Sequence, residues 1–217
     1  MSLESFIIYA LDFEGSLTTG VLEYGWVGID SQRGIFTSTT GFCKNKKHIP
    51  EQDFQVHQIK AQRLANCPDF AAIVPQLVAL RKNYFFCAHN AIFEHTLLSS
   101  YVPIVFSGKQ LPEFPSNQWG PWVDTYGLYK NAVNQPSYNL QDLVQVMRLQ
   151  EVLNALGERF CPADRRHYHC ALFDALGCAL LALNFIREHP ELSLFALLRA
   201  SGSAANADSM AQLRLFR

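Results

Sequence analysis

Asp12 and Glu14 close an apolar run, IIYALDFE at positions 7–14, and their spacing suits a strand. Side chains alternate faces along a strand, so the two carboxylates point the same way, with Cα atoms roughly 6.5–7 Å apart. That is close enough for both to hold one divalent cation. Unpaired acids on a buried strand cost several kcal/mol, and a cation removes most of that cost. A strand end that reaches solvent gives the same pair, so the pair alone does not decide. Downstream, Glu94 lies in AHNAIFEH, just inside a helix expected to begin near Ala91, and Asp174 lies in HYHCALFDA on a later helix, with His169 five residues ahead.

Taken together, D-x-E, then H-N-A-x-F-acid, then H-x-A-x-x-D-A, in this order and at these separations, resemble the DnaQ-like (DEDDh) family of 3'-to-5' exonucleases. The resemblance spans residues 5–188. It implies a ribonuclease H-like α/β fold, a mixed five-stranded sheet with helices on both faces. It also implies removal of nucleoside monophosphates from a single-stranded 3' end of DNA or RNA, both of which the family cuts; DNA is favoured by a clamp-like pentapeptide in residues 201–217. Such hydrolysis needs an attacking hydroxide, charge stabilisation at phosphorus and help for the leaving oxygen, which two divalent ions roughly 3.5–4 Å apart supply. Two Mg²⁺, or Mn²⁺, suit a set of four carboxylates.

The resemblance assigns Asp12 as the bridging ligand, Glu14 and Asp174 as ligands of the ion that activates water, Glu94 as the acid of the second motif, and His169 as general base. Backbone amides and a hydroxyl after the D-x-E strand are expected to meet the 3' end. Gly15, Ser16 and Thr18 are the candidates there, and which of Ser16, Thr18 and Thr19 takes the hydroxyl contact stays open. His57 and Ile59 in VHQI are expected to wall the terminal nucleotide, joined by Asn90 and Phe93 of the second motif. Glu94 departs from the family, which usually has Asp there, so a catalytically weakened member that only holds 3' ends is the alternative. Asp124 in WVDT matches a recurrent family Asp, with a capping role equally open.

The elements must place these groups. His169 and Asp174 are five apart, about 140° around an ideal helix, so His169 is expected on a loop before the helix proper. His167, seven from Asp174, would share its face if the helix began early. Residues 21–29 and 34–42 read as two further strands, 84–88 as a short buried strand and 122–125 as a last one. Helical spacing covers 69–82, with a kink at Pro75, then a helix from Ala91, and 126–131, 140–149, 168–189 and 192–199.

With 217 residues, 49% hydrophobic and 17% charged, the chain has enough apolar material for one ordinary core, expected over 1–200. A net charge of −1 argues against a broad basic surface, so any nucleic-acid contact should be local. The six cysteines form no C-x-x-C pair, and a zinc site drawn from Cys161, His167, His169 and Cys170 matches no common spacing. Glu4 stands where a signal peptide needs positive charge, which points to a cytoplasmic protein. The nearly apolar stretch 168–186 contains Asp174, which favours a buried helix over a membrane span. Residues 201–217 are expected to form a flexible tail, and Gln212, Leu213, Leu215 and Phe216 in QLRLF resemble the pentapeptide that binds the bacterial sliding clamp.

Overall fold

The alternating apolar residues of the first strand are shared between two cores, one on each side of a central sheet. The computed structural model describes residues 5–103 and 119–202. Strand β1 (Ile7–Ser16) is followed by β2 (Gly20–Asp30), β3 (Gly34–Phe42), β4 (Phe85–Ala88) and β5 (Trp122–Asp124). They form one mixed sheet in the order β3-β2-β1-β4-β5. The first three strands are an antiparallel meander, and β4 and β5 run parallel to β1. Asp30 closes the β2–β3 turn by accepting the amides of Gln32 and Arg33.

The helices in chain order are α1 (Glu51–His57), α2 (Ala61–Leu64), α3 (Val74–Asn83), α4 (Ile92–Tyr101), α5 (Thr125–Ala132), α6 (Leu140–Val146), α7 (Gln150–Phe160), α8 (Ala171–Glu188) and α9 (Leu194–Ser201). Ile8 and Ala10 of β1 join Val27, Ile29 and Cys87 under α8. Tyr9, Leu11 and Phe13 face the other way, with Trp26, Phe86 and the buried residues of α3 and α4. This parity puts Asp12 and Glu14 on the α8 face of the sheet, next in register after Ile8 and Ala10.

Helix α8 comes unusually near the sheet. A Cβ on Gly25, the register partner of Asp12, would lie 2.4 Å from the Leu172 amide nitrogen, so only glycine lets the first turn of α8 rest on β2. Ala175, Ala179 and Ala182 keep the rest of the helix close and are fully buried. No helix among the described residues is long and apolar enough to cross a membrane.

Four expectations change. Pro75 lies in the first turn of α3 rather than kinking a longer helix, because proline lacks only an N–H that no residue of that turn needs. Helix α7 lies just after the helix expected over 140–149, and buried Leu153 and Gly157 pack it on α8. Helix α8 starts at Ala171 rather than 168, since His169 takes a left-handed conformation at φ +62°. The last helix runs through Ser201, whose hydroxyl donates to the Trp122 carbonyl at 3.2 Å. Gln212, Leu213, Leu215 and Phe216 lie outside the described residues.

Candidate active site

Beside the C-terminal ends of β1 and β4 lies a cleft of about 350 Å³. Asp12, Phe13, Glu14 and Gly15 line it from β1, His89, Asn90, Phe93 and Glu94 from the β4–α4 connection, Asp53, Val56 and His57 from α1, and His169 and Asp174 from the start of α8. The three sequence motifs, up to 162 positions apart, thus open onto one cavity. Among the described residues, no lysine or arginine lines it.

Each acid is delivered by a local device. Glu94 stands in the first turn of α4 and is 3% exposed. The turn before that helix is tied down by Asp124, whose carboxylate accepts the amides of Asn90, Ala91 and Tyr126. Asp124 therefore caps two helix starts and lies outside the cleft lining. Asp174 Oδ2 accepts the His169 amide at 2.9 Å, which holds the histidine over the cleft just ahead of the helix. The His167 ring is exposed against the Tyr168 carbonyl and Cys170 Sγ, outside the lining residues.

The electrostatics of the acids are those of groups waiting for positive charge. Burial holds Asp12 well above the ordinary carboxylate range, with Asp174, Glu14 and Glu94 adding like charge. Glu14 is pushed up to about 8 by burial, then by Asp174 and Glu23, against an opposing pull from Arg165. Asp174 rises to about 7, again by burial, although the His169 amide and Arg165 draw it down. Glu94 is raised by burial, with Asp124 and Glu14 adding to it. Among the described residues, Glu94 Oε2 and Asp174 Oδ1 are buried oxygens without a hydrogen-bond partner. Crowded carboxylates with unmatched oxygens fit divalent cations, which would neutralise them and supply the missing contacts.

Within the cleft, Glu14, His169 and Asp174 bring ligand atoms within 4.8 Å of one another. Asp12 and Glu94 line the same cavity outside that tight group, whereas Cys161, His167 and Cys170 lie outside both the group and the lining. His169, expected as general base, is thus near enough to two carboxylates to share their cation. Burial and His167 lower its pKa below 6.5, which keeps the imidazole neutral at pH 7.

The residues expected to meet substrate divide. Gly15, His57, Asn90 and Phe93 line the cleft, and Phe93 is 41% exposed there. Ile59 does not: it is 1% exposed, packed with Leu22, Ile49 and Leu64, because Gln58 turns the chain at φ +57° directly after α1. Its amide instead donates to His57 Nδ1 at 3.0 Å, so a neutral His57 carries its proton on Nε2. Ser16 and Thr18 are also outside the lining. Ser16 and Thr19 bond each other through amide and hydroxyl groups, and Thr18 stands exposed at the turn. Gly15 bulges the strand there at φ +127°, where a Cβ would meet the Gly20 carbonyl oxygen at 2.2 Å. His95 accepts from Trp122 Nε1 and faces away from the cavity lining. Sequence reasoning passed over Asp53, Val56 and Arg165; a second signal for Arg165 was available in Glu23, a lone acid on an apolar strand that needs a buried partner.

Glu94→Gln is expected to raise the melting temperature of the metal-free protein at pH 8, by about 2–4 °C for each kcal/mol recovered, and to leave it nearly unchanged at pH 4. The folded protein holds Glu94 above its unfolded value of 4.5, so the favourable protonated form is present below that value and is lost as pH rises through the folded one. A variant whose thermal shift is the same at both pH values would show that the charge on Glu94 is not the cost. With magnesium, the Gln variant should need more metal for half-maximal hydrolysis, and Glu94→Asp should retain activity.

No protein-family model matches the chain. The PolC-type DNA polymerase III of Thermotoga petrophila is 24% identical over 204 residues, covering 90% of this chain and 13% of the polymerase. The chain therefore spans only a small part of that relative's length. Among solved structures, Exonuclease X in complex with 5' overhanging duplex DNA aligns with a TM-score of 0.63 at 19% identity, over 90% of this chain and 99% of that one. A 3'-exonuclease recognising the histone mRNA stem-loop aligns at 0.60 and 15%, over 88% and 85%. A moderately thermophilic Exonuclease I from Methylocaldum szegediense aligns at 0.60 and 16%, over 89% and 42%. The chain shares the fold of the 3'-to-5' exonucleases that its motifs resemble.

Proposed function

We propose that the protein is a metal-dependent 3'-to-5' exonuclease that removes nucleoside monophosphates from single-stranded 3' ends of DNA. The observation that carries this reading is the convergence of four carboxylates and His169 on one cavity. A phosphodiester could not approach these carboxylates in their ionised form unless cations were bound there. Asp12, Glu14, Glu94 and Asp174 would hold them, and bound divalent ions supply an acidic water and a counter-charge for the phosphate. The neutral imidazole of His169 takes the proton of the attacking water. The exposed faces of Phe93 and Val56 offer a surface on which an unpaired base can stack.

DNA is favoured by the names of the Exonuclease X complex and the PolC-type polymerase, against that of the 3'-exonuclease of the histone mRNA stem-loop, and by the resemblance of QLRLF to the clamp-binding pentapeptide, which points to replication or repair. Matched DNA and RNA oligonucleotides labelled at the 3' terminus test the reading. Magnesium should release labelled mononucleotides from DNA first, and EDTA should stop the release. Binding of both strands with no hydrolysis in magnesium or manganese would replace this proposal with the 3'-end-holding alternative. Faster release from RNA would overturn only the substrate.

A further inference from the structure

We propose that Arg165 is a positioning residue for this site, fixing His169 and His57 in place through their backbone carbonyls; this rests on the exonuclease reading above. Arg165 is 4% exposed and lies four residues before His169. Its Nη1 donates to the His57 carbonyl at 2.9 Å and its Nη2 to the His169 carbonyl at 3.1 Å. The other edge of the guanidinium is taken by Glu23, which accepts from Nε at 3.1 Å and from Nη2. Glu23 in turn accepts the Ala171 amide at the first residue of α8. One planar cation, anchored on β2, thus grips the end of α1 and the loop before α8.

Both gripped carbonyls border left-handed backbone, at His169 itself and at Gln58 after His57. His169 is left-handed at φ +62°, a conformation a non-glycine residue keeps only when its surroundings impose it. Its amide is fixed by Asp174 and its carbonyl by Arg165, so both polar groups of that peptide pair are constrained. His57 ends α1, and the chain reverses at Gln58 with φ +57° immediately after the carbonyl that Arg165 holds. The five donors of guanidinium lie in a fixed fork, which an ammonium cannot reproduce. Misplacing a catalytic group by about 1 Å can cost about 100-fold in rate.

The test is Arg165→Lys, which keeps the charge opposite Glu23 and loses the fork. It should lower kcat by about 10–100-fold, while the magnesium needed for half-maximal rate stays within about threefold of the parent. In a His169→Ala background the same change should lower kcat by clearly less than in the parent, because one of the two groups it positions is gone and only the effect through His57 is left. Losses that multiply across the two backgrounds would overturn the proposal, since a general weakening of the fold acts independently of His169. If the lysine variant does not fold, the double variant Arg165→Gln with Glu23→Gln, which removes the fork and both charges of the pair together, takes its place in both backgrounds. Histidine ring proton resonances of the metal-free protein give a readout that needs no activity. Those of His57 and His169 should shift in the variant while His89, held by Thr125 and the Tyr138 carbonyl, stays; unmoved His57 and His169 signals would end the idea. A parent chain that hydrolyses nothing would remove the exonuclease reading, and the resonances would still decide for or against Arg165.

Discussion

Asp12→Ala and Asp174→Ala are each expected to reduce hydrolysis by well over the roughly 100-fold that loss of a group supporting a metal ligand costs, because on the proposed reading each removes a ligand itself. The two should fail differently. Among the described residues Asp12 makes no hydrogen bond that organises a neighbour, and burial beside Asp174, Glu14 and Glu94 holds it above the usual carboxylate range. Its removal takes away a mutually repelling charge, so the metal-free protein should fold at least as well as the parent. Asp174 also accepts the His169 amide, so alanine there releases the loop that carries the base. Asp174→Asn keeps an oxygen for that amide and separates the two losses: it should be inactive with His169 still in place. Single-turnover digestion at matched magnesium, with melting curves in EDTA, measures both. A near-normal rate from either alanine variant would remove these carboxylates from the chemistry.

His169→Ala is expected to lower kcat by about 10²–10⁴-fold, the range for loss of a general base. His167→Ala should cost far less, because that ring is exposed outside the cleft lining. The base must be neutral to accept a proton, and the folded environment lowers the His169 pKa below 6.5. The rate of the parent at saturating metal should therefore fall only below that pH, and the fall should be missing from the His169 variant. The reverse ranking of the two histidines would transfer the role to His167. Since His169 also lies within 4.8 Å of ligand atoms of Glu14 and Asp174, a large rise in the metal requirement of His169→Ala would instead mark it as a ligand.

What could be read in advance was what covalent geometry repeats over a few residues. A period of two along β1 puts Asp12 and Glu14 on one face wherever that strand is packed, and 100° per residue keeps His169 off the face of Asp174 in any helix. The order of motifs carried the fold, because each motif sits at the end of an element whose apolar pattern is local: β1, the β4–α4 connection and the start of α8. Other features had no local period to announce them. His57 and Ile59 are two residues apart, yet one lines the cleft and the other is core, because the left-handed turn at Gln58 falls between them. Ser16 and Thr19 look like free hydroxyls in a polar loop, and the strand bulge at Gly15 turns them onto each other. Asp124 reads equally as ligand or cap until the amides of Asn90 and Ala91, more than thirty residues earlier, are seen to converge on it. Glu23 and Arg165 are 142 positions apart, and their pairing exists only because Gly25 admits α8 onto β2. Side-chain type and spacing follow from the chain's own stereochemistry, whereas which buried polar group satisfies which other depends on how the layers close, and that is decided by packing across the whole domain.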